Sequence, residues 1–338
     1  MVPSCTRRDF VKGSVLASAG LVATVAGHTP HSRAAEETSF LPPCQEPPPL
    51  QTPQSPKEQV PKAKLGHLQI GRLLLGGNLL THYTHSRDLR YVYTLTQHYN
   101  TREKIFQTMA LAESHGINAL VIHTAPGVLE MLKEYRHHRG GRMHWIICPT
   151  AEMKPGLKEF QEQVQKMIDV GTDAIYIWGV RADALVSEGE PELIGQAVEL
   201  VKAKGLLCGV GAHDLRVIQE CERLKVPADF YIKTLHHHQY PTGPKPEQIT
   251  GPTAEIPGYW CSHPKETIEL MEKVEKPWIA FKVMAAGAIP PANAFRYAIR
   301  GGADFILAGM FDFEIADDVR IFNQILAENP KRSRPWRA

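Results

Sequence analysis

The sequence predicts an α/β fold, a single (β/α)8 TIM barrel preceded by an export signal and a proline-rich linker. From about Gly71 to Leu326 of the 338 residues, a short apolar run alternates eight times with an amphipathic helical stretch. Almost every apolar run ends in a polar or glycine-rich segment. This alternation is typical of eight parallel strands, each followed by a helix, that close into a barrel. Such barrels carry their chemistry at the carboxyl ends of the strands, so the pattern also predicts where functional residues lie.

Residues 1–35 resemble a twin-arginine export signal. The segment Thr6–Lys12 reads TRRDFVK and precedes a weakly apolar, uncharged run from Gly13 to Gly27. A membrane anchor is the alternative, but about 15 residues are too few to span roughly 30 Å of hydrocarbon. The signal therefore predicts recognition by the twin-arginine export machinery. It also predicts a periplasmic or extracellular protein with no integral membrane span in its mature form.

The rest of the chain divides into a linker, one domain and a tail. Proline dominates residues 36–64, where no hydrophobic period is present, so this segment is a predicted linker. Residues 65–330 are enough for one barrel. The basic segment 331–338 is interpreted as a solvated tail. Because acidic and basic residues are interspersed and the net charge is +2, nucleic acid is not an expected partner, whereas a small-molecule substrate is.

The predicted strands are short apolar runs bounded by turn residues or by the end of a helix. In chain order they are Arg72–Gly77, Ala119–His123, Trp145–Pro149, Ala174–Gly179, Leu207–His213, Phe230–His236, Trp278–Ala285 and Phe305–Met310.

The predicted helices follow from apolar periodicity and from stop signals at their ends. Gly116 and Gly171 each follow a helix, as glycine commonly does, and a third helix ends before Val226 and Pro227. In chain order the helices are Arg102–His115, Leu157–Val170, Leu215–Leu224, Pro291–Arg300 and Ile315–Leu326.

Two connections at the carboxyl ends of strands are longer than the others, 78–100 and 237–264. Loops of this length inside a compact domain are usually functional covers or disordered insertions. Their aromatic content favours ordered covers over the barrel mouth. With Trp178 at the end of strand four, their predicted substrate-binding residues are Asn78, His82, Tyr83, His85, Arg87, Tyr91, Tyr259 and Trp260.

Lys233 and Lys282 lie inside or at the end of apolar runs on neighbouring strands. Strand alternation places each lysine either against the outer helices or inside the barrel, and the cost of desolvating an ammonium favours the inside. Two inward lysines would lower each other's pKa, as an amine nucleophile or a general base requires. The alternative is that each lysine pairs with a buried carboxylate. Four carboxylates just past strand ends are available for this: Glu152, Asp183, Asp214 and Asp312.

His123, His213 and His236 end strands two, five and six. Imidazoles that converge on one mouth are proton-transfer groups or ligands of a divalent metal. His213 and His236 are the predicted metal ligands, although a strand-end histidine is more often a hydrogen-bonding contact to substrate. With Lys233 and Lys282, the three histidines are the predicted catalytic residues.

Gly287 and Gly309 are candidate cofactor-binding residues. They lie after strand seven and in strand eight, where many barrels bind phosphate. Close packing at the barrel rim explains small residues there equally well.

Three segments resemble the aldo/keto reductase superfamily of NADP-linked oxidoreductases. GHLQIGRLLLGGN at Gly66–Asn78 resembles the opening hairpin and first strand of that family. ALAESHGIN at Ala110–Asn118 resembles its first helix running into the second strand. WIAFKVMAAG at Trp278–Gly287 resembles strand seven of its bacterial branches. The resemblance covers most of the barrel and implies the same fold.

The catalytic tetrad of that family is not retained. The resemblance requires an aspartate and a tyrosine after strand two, a lysine at strand three and a histidine at strand four. His123 stands at the aspartate position and no tyrosine follows it, strand three ends at Cys148 and Pro149 without lysine, and strand four ends at Trp178 without histidine. Hydride transfer by the family mechanism is therefore not supported.

Three functions stay open at this point. The favoured one is an exported enzyme that acts on a small polar carbonyl compound, plausibly a sugar derivative, by acid/base, lyase or isomerase chemistry. The second is an NADP-dependent oxidoreductase in which Tyr83 or Tyr91 replaces the missing acid. The third is a non-catalytic ligand-binding barrel. The sequence does not identify the cofactor: a divalent metal is one candidate, and NADP is a less favoured one.

Overall fold

The computed structural model describes residues 58–86, 89–249 and 261–338, which belong to one compact unit. The predicted export signal, most of the predicted linker, and Arg87, Tyr259 and Trp260 lie outside the described residues.

Eight parallel strands close into a barrel, which confirms the predicted (β/α)8 fold. A two-stranded antiparallel hairpin, β1 and β2, precedes it. In order around the barrel, β10 pairs with β3, the strands follow in sequence to β9, and β9 pairs with β10. The strands are β1 Lys62–Leu65, β2 Leu68–Gly71, β3 Leu73–Gly76, β4 Ala119–His123, β5 His144–Cys148, β6 Ala174–Ile177, β7 Leu207–Ala212, β8 Phe230–Thr234, β9 Trp278–Phe281 and β10 Phe305–Ala308.

All five predicted helices are present, and the structure adds others. The first long connection contains α1, and the segment between β6 and β7 forms two helices, α5 and α6. The helices are α1 Tyr91–Tyr99, α2 Arg102–Ser114, α3 Val128–His138, α4 Lys158–Asp169, α5 Gly179–Glu188, α6 Glu192–Lys202, α7 Leu215–Arg223, α8 Pro264–Lys273, α9 Pro291–Arg300 and α10 Asp312–Ala327. No helix among the described residues is long and apolar enough to cross a membrane.

The core has two layers separated by the barrel wall. Alternate strand residues such as Ile232 and Ile279 fill the inside, together with Leu65 and Ile70 of the hairpin. The other strand residues pack outward against the helices. Because the hairpin joins the inner layer, it closes the amino-terminal end of the barrel and leaves the carboxyl ends of the strands as the mouth.

The basic tail is anchored, so its interpretation as a solvated segment is wrong. Arg334 is 3% exposed and its guanidinium lies 2.9 Å from a carboxylate oxygen of Asp304, just before β10. Arg332 pairs with the same carboxylate at 3.5 Å and lies over the ring of Trp336. The buried carboxylate of Asp304 therefore holds the tail against the amino-terminal end of the barrel.

Candidate active site at the barrel mouth

Four cationic or titratable side chains and one tyrosine meet at the mouth. Lys282 follows β9 in a left-handed conformation, and its Nζ lies 3.4 Å from Nε2 of His85. The Tyr83 ring contacts His85 at 4.4 Å and His123, at the end of β4, at 6.0 Å between centroids. His213, just after β7, is near enough to His85 for its charge to lower the pKa of His85. We call Tyr83, His85, His123, His213 and Lys282 the mouth cluster.

Asp183 holds His213 in a defined orientation. Helix α5 begins directly after β6, and its first turns bring Asp183 beside the end of β7. Its Oδ2 accepts a hydrogen bond from Nδ1 of His213 at 2.7 Å. Its Oδ1 accepts the backbone N–H groups of His213 at 3.0 Å and Asp214 at 2.9 Å. Because Nδ1 donates to the carboxylate, the neutral ring carries its lone pair on Nε2 and can act as a base there.

Gly179 provides the space that the His213 ring occupies. A Cβ atom at Gly179 would lie 3.2 Å from Cε1 of His213 and 3.3 Å from the backbone nitrogen of Ala212. Contacts this short require the ring or the strand end to shift. Glycine at the first position of α5 is therefore part of the geometry that joins His213 to Asp183.

The histidines of the mouth cluster are biased toward the neutral form. Burial lowers the pKa of His213, and the nearby Lys282 and Lys233 lower it further, whereas Asp183 opposes them. Burial, with Lys282, His213 and His123 nearby, lowers the pKa of His85 to about 3. Burial also lowers the pKa of His123. At neutral pH these rings are therefore hydrogen-bonding groups and bases rather than cations.

Lys233 does not face the inside of the barrel, so the predicted pair of inward lysines is wrong. In register it lies beside Ala212 of β7 and Ala280 of β9, and both alanines belong to the outer layer. The small alanines leave room for its stem on that face. Lys233 is 1% exposed, and burial, not the charge of Lys282, lowers its pKa.

His236 is a structural residue, contrary to its assignment as a proton-transfer group and metal ligand. It is 1% exposed, and its Nε2 accepts the backbone N–H of Cys261 at 3.2 Å. Its Nδ1 therefore carries the proton, which it donates to the carbonyl oxygen of His237 at 3.1 Å. Burial lowers its pKa to about 4. Both ring nitrogens are engaged by backbone, so neither is available to a metal or a substrate.

The described residues do not assemble a metal site around the two predicted ligands. Within residues 58–86, 89–249 and 261–338, no group of three or more His, Cys, Asp or Glu side chains is arranged to hold one. Of the two predicted ligands, His236 has both ring nitrogens engaged by backbone, so it does not join His213 at a metal site.

The two candidate cofactor-binding glycines differ in their surroundings. A Cβ at Gly309 would meet Leu79 at 3.4 Å, an ordinary packing contact. A Cβ at Gly287 would meet nothing within 4 Å, and Gly287 follows Ala285 and Ala286 in a run of left-handed residues. Cofactor binding at both positions stays a prediction.

The other predicted contact residues are spread around the rim. Nε2 of His82 hydrogen-bonds the carbonyl oxygen of Asn100 at 2.8 Å, so this ring ties the two ends of the first long connection together. Asn78 is half-buried at its start, and its carbonyl oxygen accepts the N–H of Tyr83 at 2.8 Å. Tyr91 is 63% exposed on α1. Trp178 is half-buried between β6 and α5.

Three site residues were not predicted in the roles that they take. Asp183 was considered only as a partner for a lysine, yet it binds His213. Tyr176, on the inner face of β6, lies near the thiol of Cys148 on β5. Phe281 packs 5.3 Å from the His213 ring. Tyr176 and Phe281 lie within apolar runs, where only their alternation with neighbouring residues indicates an inward position.

The comparisons with known proteins identify the fold. No protein-family model matches the chain, and no curated protein matches it in sequence. A putative aldo-keto reductase from Pseudomonas aeruginosa is similar in structure, with a TM-score of 0.53 and 17% identity over 80% of this chain and 97% of that chain. An aldo-keto reductase from Bacillus halodurans, in its holo form, has a TM-score of 0.50 and 12% identity over 82% and 98%.

The barrel thus resembles those of aldo-keto reductases. The predicted resemblance is confirmed at the level of the fold.

Proposed function

We propose that the chain is a barrel enzyme that acts on a small polar carbonyl compound by acid/base chemistry at the mouth. A sugar derivative is the class we favour. The observation that carries this proposal is the 2.7 Å hydrogen bond from His213 to Asp183, next to Lys282 and His85. A neutral histidine oriented by a carboxylate is suited to removing a proton, and a nearby ammonium is suited to stabilising the negative charge that results.

The proposed step is the removal of a proton from the carbon next to a carbonyl group. The proton moves to Nε2 of His213, and the C–H electron pair forms the enolate. Lys282 donates a hydrogen bond to the enolate oxygen. If the carbon that lost the proton carries a hydroxyl group, transfer of the hydroxyl proton to the enolate oxygen and return of the carbon-bound proton to the former carbonyl carbon give an isomer. Loss of a leaving group from the next carbon gives a lyase product instead. His123 and Tyr83 are the groups that would donate a proton to the end of the substrate that lies opposite His213.

The test is proton exchange in D2O. Keto and aldehydo sugars of three to six carbons, incubated with the protein, are expected to lose the 1H NMR signal of the carbon-bound proton next to the carbonyl. His213→Gln should slow this exchange by about 10²-fold or more, since general base catalysis contributes at least that much. Asp183→Asn should slow it similarly, because the ring loses the partner that sets its tautomer.

His144→Gln is the matched control. His144, at the start of β5, also bonds a carboxylate through Nδ1, to Asp173 at 2.9 Å, but it lies at the closed end of the barrel. Its variant should exchange protons at the wild-type rate. Equal rates in wild type and His213→Gln would remove His213 as the base, and binding of sugars without any exchange would favour a binding protein.

The exchange rate should also depend on pH in one direction. Because the pKa of His213 lies below its usual value, the base form is fully present at neutral pH. The rate should therefore be level around pH 7 and fall as the pH drops through the lowered pKa. A rate that rises on acidification would contradict this role.

An oxidoreductase with bound NADP is the second candidate, favoured by the structural likeness to aldo-keto reductases. In this case Tyr83 replaces the missing acid, since its ring contacts His85 and His123. A change in NADPH fluorescence on mixing, lost in Tyr83→Phe or on saturation with NADP, would support it. No change at high cofactor concentration would exclude it.

We further propose that the enzyme is exported through the twin-arginine pathway, on the basis of the segment Thr6–Lys12. Replacing both Arg7 and Arg8 by lysine should retain the protein in the cytoplasm. Fractionation of cells that express wild type and variant checks this, and export of the variant would contradict it.

A further inference from the structure

Lys233 is a buried charge for which the proposed chemistry has no direct use. It is 1% exposed, and in register its strand position belongs to the outer face of the barrel wall. It forms no ion pair with any described carboxylate; Asp183 and Asp214 act on it only through space. A buried ammonium without a paired carboxylate is costly to keep, so its surroundings are informative.

The contacts of Lys233 lead to the strand end that carries His213. Its Nζ donates to Oγ1 of Thr234 at 2.7 Å and to the Thr234 carbonyl oxygen at 3.2 Å. Oγ1 of Thr234 in turn donates to the carbonyl oxygen of His213 at 3.4 Å. The register agrees, because Lys233 lies opposite Ala212, the residue before His213. The ammonium is thus two hydrogen bonds away from the backbone carbonyl of His213.

We propose that Lys233 is a positioning residue whose charge, held by Thr234, keeps the His213 ring neutral and therefore ready to accept a proton. This role rests on the proposed function, in which neutral His213 is the base. The charged and titratable groups near His213 are Asp183 on α5, the adjacent Asp214, Lys282 after β9, His85 of the first connection, and Lys233. Asp183 favours the imidazolium, and the two lysines oppose it.

Removing the charge of Lys233 should therefore shift the balance toward protonated His213. In Lys233→Met, the pKa of His213 should rise, because the positive charge of Lys233 opposes the imidazolium. The pKa is measured by NMR titration of protein labelled with 15N-histidine. The His213 signals are those that are absent from the spectrum of His213→Gln. Methionine is close to lysine in size, and replacing a buried charge by an apolar side chain is often neutral or stabilising, so the variant should fold.

Lys276→Met is the matched control. Lys276 is also a partly buried lysine beside the barrel, but it pairs with Glu222 at 2.6 Å, away from His213. Its variant should leave the titration of His213 unchanged. Thr234→Val removes the hydroxyl that holds the ammonium and should raise the pKa of His213 in the same direction, by less. This second variant also tests the proposal if Lys233→Met fails to fold.

An unchanged pKa of His213 in folded Lys233→Met would overturn the proposal, as would an equal shift in Lys276→Met. The titration needs no substrate, so it is informative even if the proposed function fails. If proton exchange is detected, the pH at which the rate falls should move upward in Lys233→Met while the plateau and KM stay close to wild type. A purely structural lysine would instead lower the rate equally at every pH.

Discussion

At the scale of single residues, the two buried histidines His213 and His236 show how hydrogen-bond partners decide a role. Nδ1 of His213 is hydrogen-bonded to a carboxylate, and the ring is part of the mouth cluster. Backbone groups hold both nitrogens of His236. The sequence places both histidines at strand ends but does not reveal their partners. The partner of His213 is 30 residues away, and one of the two partners of His236 is 25 residues away, on segments that only the folded chain brings together.

The burial of His236 predicts how stability changes with pH. Its pKa is about 4 in the folded protein, against about 6.5 in the unfolded chain. The unfolded chain therefore binds more protons between these values, and stability falls as the pH drops through this window, by roughly 3 kcal/mol from this residue. His236→Gln should be less stable than wild type at pH 7 and should lose less stability on acidification.

Urea denaturation at several pH values from 7 to 4 measures this effect. His67→Gln, at an exposed position in the β1–β2 turn, serves as the control and should follow the wild-type curve. Parallel curves for wild type and His236→Gln would mean that His236 is not the group responsible.

At the scale of elements, the immediate start of α5 after β6 is what builds the candidate site. The sequence predicts a strand as far as Gly179, because the run AIYIWG is continuously apolar. In the structure β6 ends at Ile177 and Gly179 already belongs to the helix that carries Asp183. Propensity alone does not predict this boundary, since it depends on how closely the helix approaches the end of β7.

The orientation of Lys233 shows a related limit. Alternation along β8 groups Lys233 with Tyr231 and Leu235, but it does not say which group faces the barrel interior. The decisive observation is the register, which places Lys233 between two alanines on the outer face. The barrel itself could be predicted because its strands are local apolar runs, whereas side-chain orientation requires knowledge of neighbouring strands.

The close approach of α5 to β7 predicts the effect of adding one methyl group. Gly179→Ala should push the His213 ring by a few tenths of an ångström and lengthen its hydrogen bond to Asp183. We expect about a 10-fold loss of proton exchange, because small displacements of catalytic groups are costly. An altered chemical shift of the His213 Nδ1 proton would report the displacement directly.

Gly195→Ala, inside α6, is the matched control for this substitution. There a Cβ would meet Val226 at 3.6 Å, an ordinary contact, so the variant should keep its activity. It should also gain about 0.5–1 kcal/mol of stability from the higher helix propensity of alanine. Equal losses of activity in the two variants would contradict a specific role for Gly179.

At the scale of the whole molecule, the two ends of the described chain meet at the closed end of the barrel. The β1–β2 hairpin fills the inside there, and the tail is anchored through Asp304. Arg334 also donates to the carbonyl oxygens of Met271 and Lys276, so it joins the tail to the segment that precedes β9. The sequence shows the arginines of the tail, but not the buried carboxylate that receives them.

Removing Arg334 should therefore destabilise the whole barrel. Arg334→Met leaves the carboxylate of Asp304 buried with fewer partners, and breaking a buried pair in this way costs about 3–5 kcal/mol. Arg320→Met is the control, since the pair of Arg320 with Asp317 is largely exposed and its loss should cost less than about 1 kcal/mol. Denaturation curves compare the two variants, and similar stabilities would show that the tail contributes little.

The anchoring of the tail also orders events during synthesis. Domains commonly fold while the ribosome is still making them, beginning from the amino terminus. Here the carboxylate of Asp304 acquires its guanidinium partners only after Arg332 and Arg334 have been added to the chain. The barrel is therefore completed only after translation has passed the tail residues that pair with Asp304.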